Sequence, residues 1–269
     1  MEEYEKYFEG KTILITGGCG FIGSNMAIKL STLNVRKIIL IDSLVPELGG
    51  SLENIKEIKD KENIEIHSGI DGDIKNIQKM KLLIKEADII FNFAGSIKHT
   101  KLDEKDLEFD TEVNFISQIK FLEACRQVMT ENPTKKLKIV FSGTRDQYGK
   151  VPQSELPVKE NFLPKNMTDY QSISKNAAES YHMIINNVLR DSGIDIMVNS
   201  IRLTNTYGHR QSSKAGAAIP VFIEKAINGE TIELWGGGEV FRDINHIDDV
   251  IDAFLLVASS GFSFAANYL

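Results

Sequence analysis

Three glycines near the start of the chain have the spacing of a diphosphate-binding loop. They follow the β-branched run Thr12–Thr16 and open a helical pattern. Glycines in such a loop make the tight turn, let the backbone approach a pyrophosphate, and allow the helix to pack closely on the strand. The first helical residues would then offer free N–H groups to the phosphates. The predicted diphosphate site comprises Gly17, Gly20, Phe21, Ile22 and Gly23.

A carboxylate closes the second apolar run at Asp42. A carboxylate in this position accepts hydrogen bonds from the ribose hydroxyls of a dinucleotide and repels a 2′-phosphate. The residues that directly follow Asp42 include neither Arg nor Lys, so the sequence favours NAD over NADP. The alternative is a structural glycine turn followed by a coincidental aspartate.

Short apolar runs alternate with longer amphipathic stretches along the chain. Runs of this length suit strands that are buried on both faces of a parallel sheet. The predicted strands cover 12–16, 38–41, 64–67, 89–94, 139–142 and 195–201. The predicted helices cover 21–33, 52–61, 74–85, 107–130, 170–191, 216–228 and 248–259. This alternation predicts an α/β fold of the Rossmann type, with a doubly wound parallel sheet.

Length limits the number of domains. A chain of 269 residues is long enough for one large α/β domain, and the part beyond the sixth strand is too short for a second one. We therefore expect a single domain over 1–269. Residues of about 203–269 would form a small substrate-binding lobe over the C-terminal edge of the sheet, where ligands of such folds bind.

Composition excludes several other classes of protein. The net charge of −7 argues against nucleic acid and anionic membranes as partners. Two cysteines without metal-ligand spacing predict neither a disulfide framework nor a metal site. The acidic start is unlike a signal peptide, and apolar stretches stay well below the ~18 residues of a membrane span. The sequence thus predicts a cytoplasmic protein.

Eight ordered segments carry a resemblance to a known family. They are TGGCGFIGS (16–24), Asp42, Asp73-Ile74, NFAG (92–95), SGTRDQYG (142–149), SKNAAE (174–179), RLTNTYG (202–208) and RDINHIDDV (242–250). Over about residues 10–258, the chain resembles the extended short-chain dehydrogenase/reductase family. Within that family it is similar to the sugar-nucleotide epimerases and dehydratases, which implies a nucleotide-sugar substrate and NAD as cofactor.

The resemblance assigns further residues to the cofactor. Asp73 and Ile74 would contact the adenine ring, although Asp73 also fits the N-cap of the predicted helix 74–85. Asn114, an indifferent helix former, would make buried hydrogen bonds behind the cofactor. The ribose and nicotinamide side would be lined by Phe93, Ala94 and Gly95.

The resemblance also implies roles around the reacting sugar. Lys175 would hydrogen-bond the nicotinamide ribose, and Thr144 would hold the reacting hydroxyl of the substrate. Arg242 would bind the substrate's diphosphate, for which a planar guanidinium is well suited. Arg202 and Asn205 would border the sugar. A surface ion pair is the alternative role for either arginine.

The chain departs from the family at the residue that transfers the proton. The family has a Tyr four residues before the Lys, on the same helix face, where the ammonium lowers the pKa of the phenol. Here Gln171 stands four residues before Lys175, and Tyr170 stands five before. A regular helix would leave Tyr170 about 140° away from Lys175. Either Tyr170 swings inward from a frayed helix start, or the Tyr role is absent.

Without that Tyr, the base must come from elsewhere. Asp146 follows Thr144 by two residues, in the place of the second acidic residue of the family's 4,6-dehydratases; Arg145 replaces the first. The missing general acid argues against a standard dehydratase. His99 is a second titratable candidate, with a solvated loop histidine as the alternative, and His246 is interpreted as structural.

The sequence therefore predicts an NAD-dependent enzyme of the epimerase type, which acts on a nucleotide-sugar through a transient 4-keto sugar with tightly bound NAD. Two alternatives stay open: a nucleotide-sugar 4,6-dehydratase, and a non-catalytic NAD-binding protein, the latter because of Gln171. Helices 107–130 and 170–191 would pair in a homodimer. Family members usually continue past the 248–259 helix, so the tail is either short or only partly included in this sequence.

Overall fold

The computed structural model describes residues 3–96, 104–159, 162–163, 165–213, 217–234, 238 and 241–261. His99 lies outside these residues. Within them, six parallel strands form one sheet in the order β3-β2-β1-β4-β5-β6, which is the order of the Rossmann fold. The strands are β1 (Thr12–Thr16), β2 (Lys37–Asp42), β3 (Ile64–Ser68), β4 (Ile89–Asn92), β5 (Leu137–Thr144) and β6 (Ile196–Leu203).

Helices cover both faces of this sheet. They are α1 (Glu3–Phe8), α2 (Phe21–Leu30), α3 (Ile77–Glu86), α4 (Glu104–Thr111), α5 (Ser117–Glu131), α6 (Tyr170–Asp191), α7 (Ala218–Ile227) and α8 (Ile247–Ser259). Alternate side chains of a strand point to opposite faces. Ile13 and Ile15 of β1 accordingly join the core cluster that contains α1, α2 and α8, whereas Leu14 joins the cluster that contains α3 and α5. The central strands are largely apolar because both of their faces are buried.

The structure corrects two of the predicted helices. The predicted helix 107–130 is divided by a π-helical turn at Glu112–Ile116, which lies between α4 and α5. The predicted helix 52–61 contains only the 3₁₀ turn Leu52–Ile55. Several amides there donate to the carbonyl three residues earlier, as the amide of Ile58 does to the carbonyl of Ile55. The segment therefore forms tight turns rather than an α-helix.

The segment after β6 forms a small second sheet. β7 (Asn205–Tyr207) pairs in parallel with β8 (Ile244–His246). Helix α7 contains no buried residue among those that the structure describes, whereas α8 packs under the main sheet through Phe254 and its neighbours. Because the six strands of the main sheet are parallel, their carboxyl ends meet at one edge. That edge carries the glycine loop, Asp42 and Thr144.

Candidate cofactor and active site

The glycine loop has the shape that a diphosphate requires. Gly17 has a φ of +64°, a conformation that residues with a Cβ rarely adopt. A Cβ on Gly23 would overlap the carbonyl oxygen of Gly17, so only glycine lets α2 approach the loop this closely. Gly20 is the N-cap of α2 and has no side chain to cap the helix. The N–H groups of the first helical turn have no partner within the helix, and Phe21, Ile22 and Gly23 line the cleft there.

Asp42 is held in a fixed orientation beside this loop. Its Oδ2 accepts from the amide of Cys19 at 3.0 Å, and its Oδ1 accepts from the amide of Leu44 at 2.9 Å. Burial raises the pKa of Asp42, and these backbone hydrogen bonds oppose the rise. A Cβ on Gly50 would come within 2.7 Å of Oδ1, so the opposite wall also needs glycine. The two carboxylate oxygens keep lone pairs for ribose hydroxyls.

One cleft collects the residues predicted for the cofactor, apart from Lys175. It is lined by Gly17, Gly20, Phe21, Ile22, Gly23, Asp42, Asp73, Ile74, Phe93, Ala94 and Gly95. The cradle of glycines, the free amides and the ribose-side carboxylate fit a dinucleotide. Residues that sequence reasoning did not select complete the walls, among them Val45, Leu48, Lys75, Glu112 and Val113.

Asp73 does not cap the following helix. Helix α3 begins at Ile77, and its N-cap is Asn76, whose side chain accepts from the amide of Lys79 at 3.1 Å. Asp73 instead accepts from the amide of Lys75 at 2.9 Å, a local turn that aspartate favours. The helix-cap interpretation is therefore wrong, and Asp73 lies in the cleft wall.

Lys175 is a buried cation beside Gly95, which lines the cleft. Its Nζ donates to the carbonyl of Ser142 at 3.1 Å, and a Cβ on Gly95 would lie within 2.8 Å of that Nζ. Burial lowers the pKa of Lys175 to about 8, against an opposing effect of the Asp110 carboxylate. Gly95 lines the cleft, and its lack of a side chain leaves room for the Lys175 ammonium directly behind it.

The start of α6 is a regular, capped helix end. Tyr170 is its first residue, and the N-cap Asp169 accepts from the amide of Ser172 at 2.7 Å, so the structure shows no fraying that would turn Tyr170 inward. Gln171 is buried, and its Nε2 donates to the carbonyl of Ser96 at 2.8 Å. The amide of Gln171, rather than the phenol of Tyr170, occupies the buried face one turn before Lys175.

Thr144 and Asp146 form a hydroxyl–carboxylate pair where β5 ends. The Oγ1 of Thr144 donates to Oδ2 of Asp146 at 3.2 Å. Thr144 also caps the 3₁₀ turn Arg145–Tyr148, in which the side chain of Gln147 accepts from the amide of Thr144 at 2.8 Å. Asp146 keeps a quarter of its side chain exposed. The pair therefore has one member fixed by the turn and one that solvent and substrate can reach.

The three residues predicted to border the substrate are not brought to one place. Arg202 is buried and forms a two-point ion pair with Glu179, at 2.5 Å from Nη2 to Oε1 and 3.2 Å from Nε to Oε2. Arg242 is exposed, and its guanidinium donates to the carbonyl of Phe241. Asn205 donates to the carbonyl of Asp243 at 3.2 Å. Asn205 therefore lies in β7 and Arg242 two residues before β8, whereas Arg202 is buried in β6.

A buried polar network behind the nicotinamide end includes one carboxylate that sequence reasoning missed. Asp110 is fully buried and accepts from Asn114 Nδ2 at 2.7 Å and from Ser174 Oγ at 2.6 Å. Asn114 in turn accepts from the amide of Ser96 at 2.8 Å. Burial raises the pKa of Asp110. The available signal was the spacing of Asp110 and Asn114, four residues apart on one predicted helix face.

Among the described residues, none of the helices is both long and apolar enough to cross a membrane.

The model of the NAD-dependent epimerase/dehydratase family matches residues 13–266. A putative UDP-glucose 4-epimerase of Methanocaldococcus jannaschii is 30% identical over 246 residues, which cover 91% of this chain and 72% of the relative. A UDP-glucose 4-epimerase of Mycolicibacterium smegmatis is 28% identical over 245 residues, with 90% and 71% covered.

Solved structures agree with these relatives. The fold resembles that of a UDP-N-acetylglucosamine 4-epimerase from Methanobrevibacter ruminantium, with a TM-score of 0.80, 27% identity, and 97% of this chain and 76% of the other covered. It also resembles a dTDP-glucose 4,6-dehydratase from Bacillus anthracis in complex with NAD, with a TM-score of 0.79, 26% identity, and 96% and 75% covered. The chain therefore belongs to the NAD-dependent epimerase/dehydratase family of enzymes, and its cofactor is NAD.

Proposed function

We propose that this enzyme interconverts epimers of a nucleotide-sugar through a transient 4-keto sugar, with NAD retained throughout the cycle. The observation that carries the proposal is the hydrogen bond from Thr144 to Asp146 at the carboxyl end of β5. Oxidation of a sugar hydroxyl needs a group that takes its proton. Gln171 cannot do so, because an amide has no accessible proton-accepting state. Asp146 is the carboxylate that the described site supplies beside the hydroxyl-binding residue.

Each residue of the cleft has a distinct part in this proposal. When bound, NAD would supply the hydride acceptor for the sugar carbon and the hydride donor for the return step. The glycine loop binds the diphosphate of the cofactor, Asp42 binds its adenosine ribose, and Lys175 binds the nicotinamide ribose. Thr144 orients the reacting sugar hydroxyl, and Asp146 removes its proton through or beside the Thr144 oxygen. Return of the hydride to the opposite face of the keto sugar, with return of the proton from Asp146 to the carbonyl oxygen, would give the epimer.

The substrate's diphosphate belongs to the small lobe in this proposal. Arg242 and Asn205 lie on adjoining segments of the β7–β8 sheet, and the exposed guanidinium of Arg242 is available for a two-point contact with phosphate oxygens. We assign Arg202 a positioning role rather than a contact with the substrate. Its ion-pair partner Glu179 also accepts a hydrogen bond from Gln147, in the turn after Thr144, at 3.0 Å. The ion pair thereby fixes the turn that positions Thr144. The lobe would be formed mainly by residues 203–269.

A dehydratase is the second candidate, since several relatives carry that activity in their names. Asp146 would then remove the proton beside the keto group. The leaving hydroxyl needs an acid, however, and the position that precedes Asp146 is Arg145, whose Nε lies 3.7 Å from Asp146 Oδ1. A guanidinium keeps its proton at any accessible pH. The site therefore favours epimerisation.

The test is a product assay with a panel of nucleotide-sugars. The purified enzyme with NAD is incubated with each candidate, and products are separated by chromatography and identified by mass spectrometry and NMR. We expect an epimer of unchanged mass. Asp146→Asn should lower turnover by about 10²- to 10⁴-fold. Asp191→Asn, which changes an exposed carboxylate at the end of α6, is the matched control and should retain full turnover.

Other outcomes decide between the alternatives. A product that has lost water would identify a dehydratase. Full turnover by Asp146→Asn would refute the assigned base and return attention to Tyr170. Absence of turnover with every sugar, in a protein that still binds NAD, would favour the non-catalytic alternative.

The quaternary state and location complete the proposal. Helix α6 carries an apolar stripe of Ile173, Tyr181, Ile184 and Val188, each with roughly half of its surface exposed. Their helical spacing places them on one face, so we propose that α6 and α5 pair with their mates in a homodimer. Light scattering should give twice the chain mass, and Ile184→Asp should shift the mass toward the monomer.

Both described cysteines are buried free thiols, consistent with the cytoplasmic location proposed from the sequence.

A further inference from the structure

An ion pair lies on the wall of the cofactor cleft. Lys75 follows the adenine-side pair Asp73-Ile74, and Glu112 begins the π-helical turn between α4 and α5. Both residues line the cleft. Their side chains are 35% and 45% exposed, so they stand where the cleft meets solvent. Lys75 Nζ donates to Glu112 Oε1 at 3.0 Å.

The backbone on each side positions this pair. On one side, the Asp73 carboxylate fixes the turn through the amide of Lys75, and its Oδ2 lies 3.7 Å from Lys75 Nζ. On the other side, the amide of Ser117 bonds back to the carbonyl of Glu112, five residues earlier. A π turn places residues five apart over one another. Glu112 therefore lies in line with Ser117 on the cleft wall, next to Val113.

Electrostatic attraction between the Lys75 ammonium and the Glu112 carboxylate holds the two side chains together. The hydrogen bond to Glu112 is the largest cause that raises the pKa of Lys75, with the nearby Asp73 adding to it, so Lys75 stays protonated throughout the neutral range. A single ion pair of this exposure is modest in strength and weakens as salt screens it. The pair can therefore open often enough to let a ligand pass, while it still adds to the free-energy barrier for ligand entry and exit.

We propose that the Lys75–Glu112 ion pair is a latch over the adenine side of the cleft, which must open whenever NAD or NADH enters or leaves. This inference rests on the NAD cofactor of the family and not on the identity of the sugar, so it can fail or hold independently of the epimerase proposal. A latch adds the same barrier to entry and to exit. Its removal should speed both rates alike and leave the Kd for the cofactor nearly unchanged.

The experiment measures NADH release and binding by stopped-flow fluorescence on the full chain. Lys75→Gln and Glu112→Gln should each raise the dissociation rate and the association rate by about two- to fivefold. The double variant should be no faster than either single variant, because the second substitution finds the pair already broken. Added salt should speed release from the wild type and have little effect on the double variant.

A matched control breaks a similar ion pair between the two helices that follow Lys75 and Glu112. Lys81 of α3 pairs with Glu131 of α5 at 2.6 Å, outside the residues that line the cleft. Glu131→Gln should leave both rates unchanged. Unchanged rates in Lys75→Gln and Glu112→Gln would overturn the latch. A change in Kd through release alone would overturn it as well, since that result would mean direct contact with the cofactor.

Discussion

The buried ion pair between Arg202 and Glu179 gives the sharpest test of how the active-site turn is held. The side chains of Arg202 and Glu179 are only 8% and 6% exposed. Glu179 also accepts from Ser200 Oγ at 2.6 Å and from Gln147 Nε2 at 3.0 Å. Arg202 in addition stacks over the ring of Tyr148 at 4.7 Å. One carboxylate therefore ties β6, α6 and the turn that carries Thr144 together.

The expected cost follows from this burial. Loss of one partner leaves the other charge without compensation in a low-dielectric environment, which typically destabilises a protein by about 3–5 kcal/mol. Glu179→Gln and Arg202→Met should each lower the free energy of unfolding by that amount, a large share of the roughly 5–15 kcal/mol of a typical domain. The double variant should cost clearly less than the sum of the two, because neither charge is then left alone.

Urea denaturation followed by circular dichroism measures this effect. Glu123→Gln is the control, because it breaks the Arg126–Glu123 pair, which has the same two-point geometry on the partly exposed surface of α5. That change should cost less than about 1 kcal/mol. Suppose instead that Arg202→Met keeps its unfolding free energy and raises the KM for the nucleotide-sugar. Arg202 would then be a substrate ligand, and the positioning role argued above would be refuted.

Three further predictions concern the cleft and its supports. Gly23→Ala forces a Cβ against the Gly17 carbonyl and should weaken NAD binding at least tenfold in calorimetry, with Gly261→Ala as an unaffected control; equal affinities would contradict it. Gln171→Tyr restores the family's Tyr spacing and should move the pH–rate profile, whereas an unmoved profile would show that residue 171 does not face the reaction. Burial lowers the pKa of His182 to about 4, so the unfolded chain takes up the proton first, and stability should fall by about 3 kcal/mol from pH 6.5 to pH 4. His182→Gln should flatten that part of the profile in urea titrations, and an equal slope in both proteins would count against the assignment.

Strands and the nucleotide loop could be read from the sequence because each has a local cause. The run Thr12–Thr16 is observed as predicted, and α6 spans Tyr170–Asp191 as the periodicity indicated. The glycine spacing, the strand before it and the carboxylate at 42 are likewise local features. A position with no room for a Cβ must be glycine, so the requirement is directly visible in the sequence. Short motifs therefore identified residues that line one cleft in the structure.

Partners that come from distant elements could not be read in the same way. Arg202 was predicted to border the sugar, with an ion pair as the alternative, and the sequence did not indicate that its partner would be the buried Glu179 of α6. The π turn at Glu112–Ile116 lies within a helical pattern that the sequence does not interrupt. Its Asn114 accepts a hydrogen bond from the amide of Ser96, a partner from a distant segment. Periodicity reports which face is apolar, but it does not report where a helix widens by one residue.

Gln171 removes from this site the ionisable phenol that the family's Tyr would supply. A Tyr at that position would place a phenolate within reach of Lys175, and the pair would share one proton-transfer task. Gln171 keeps a hydrogen bond to the Ser96 loop but contributes no charge, so the carboxylate that acts on Lys175 is the buried Asp110. In the proposed mechanism, proton removal then falls to the Thr144–Asp146 pair at the end of β5, and Lys175 binds only the cofactor. This separation implies that titration of Lys175 near pH 8 weakens NAD binding first and affects the chemical step only through the loss of bound cofactor.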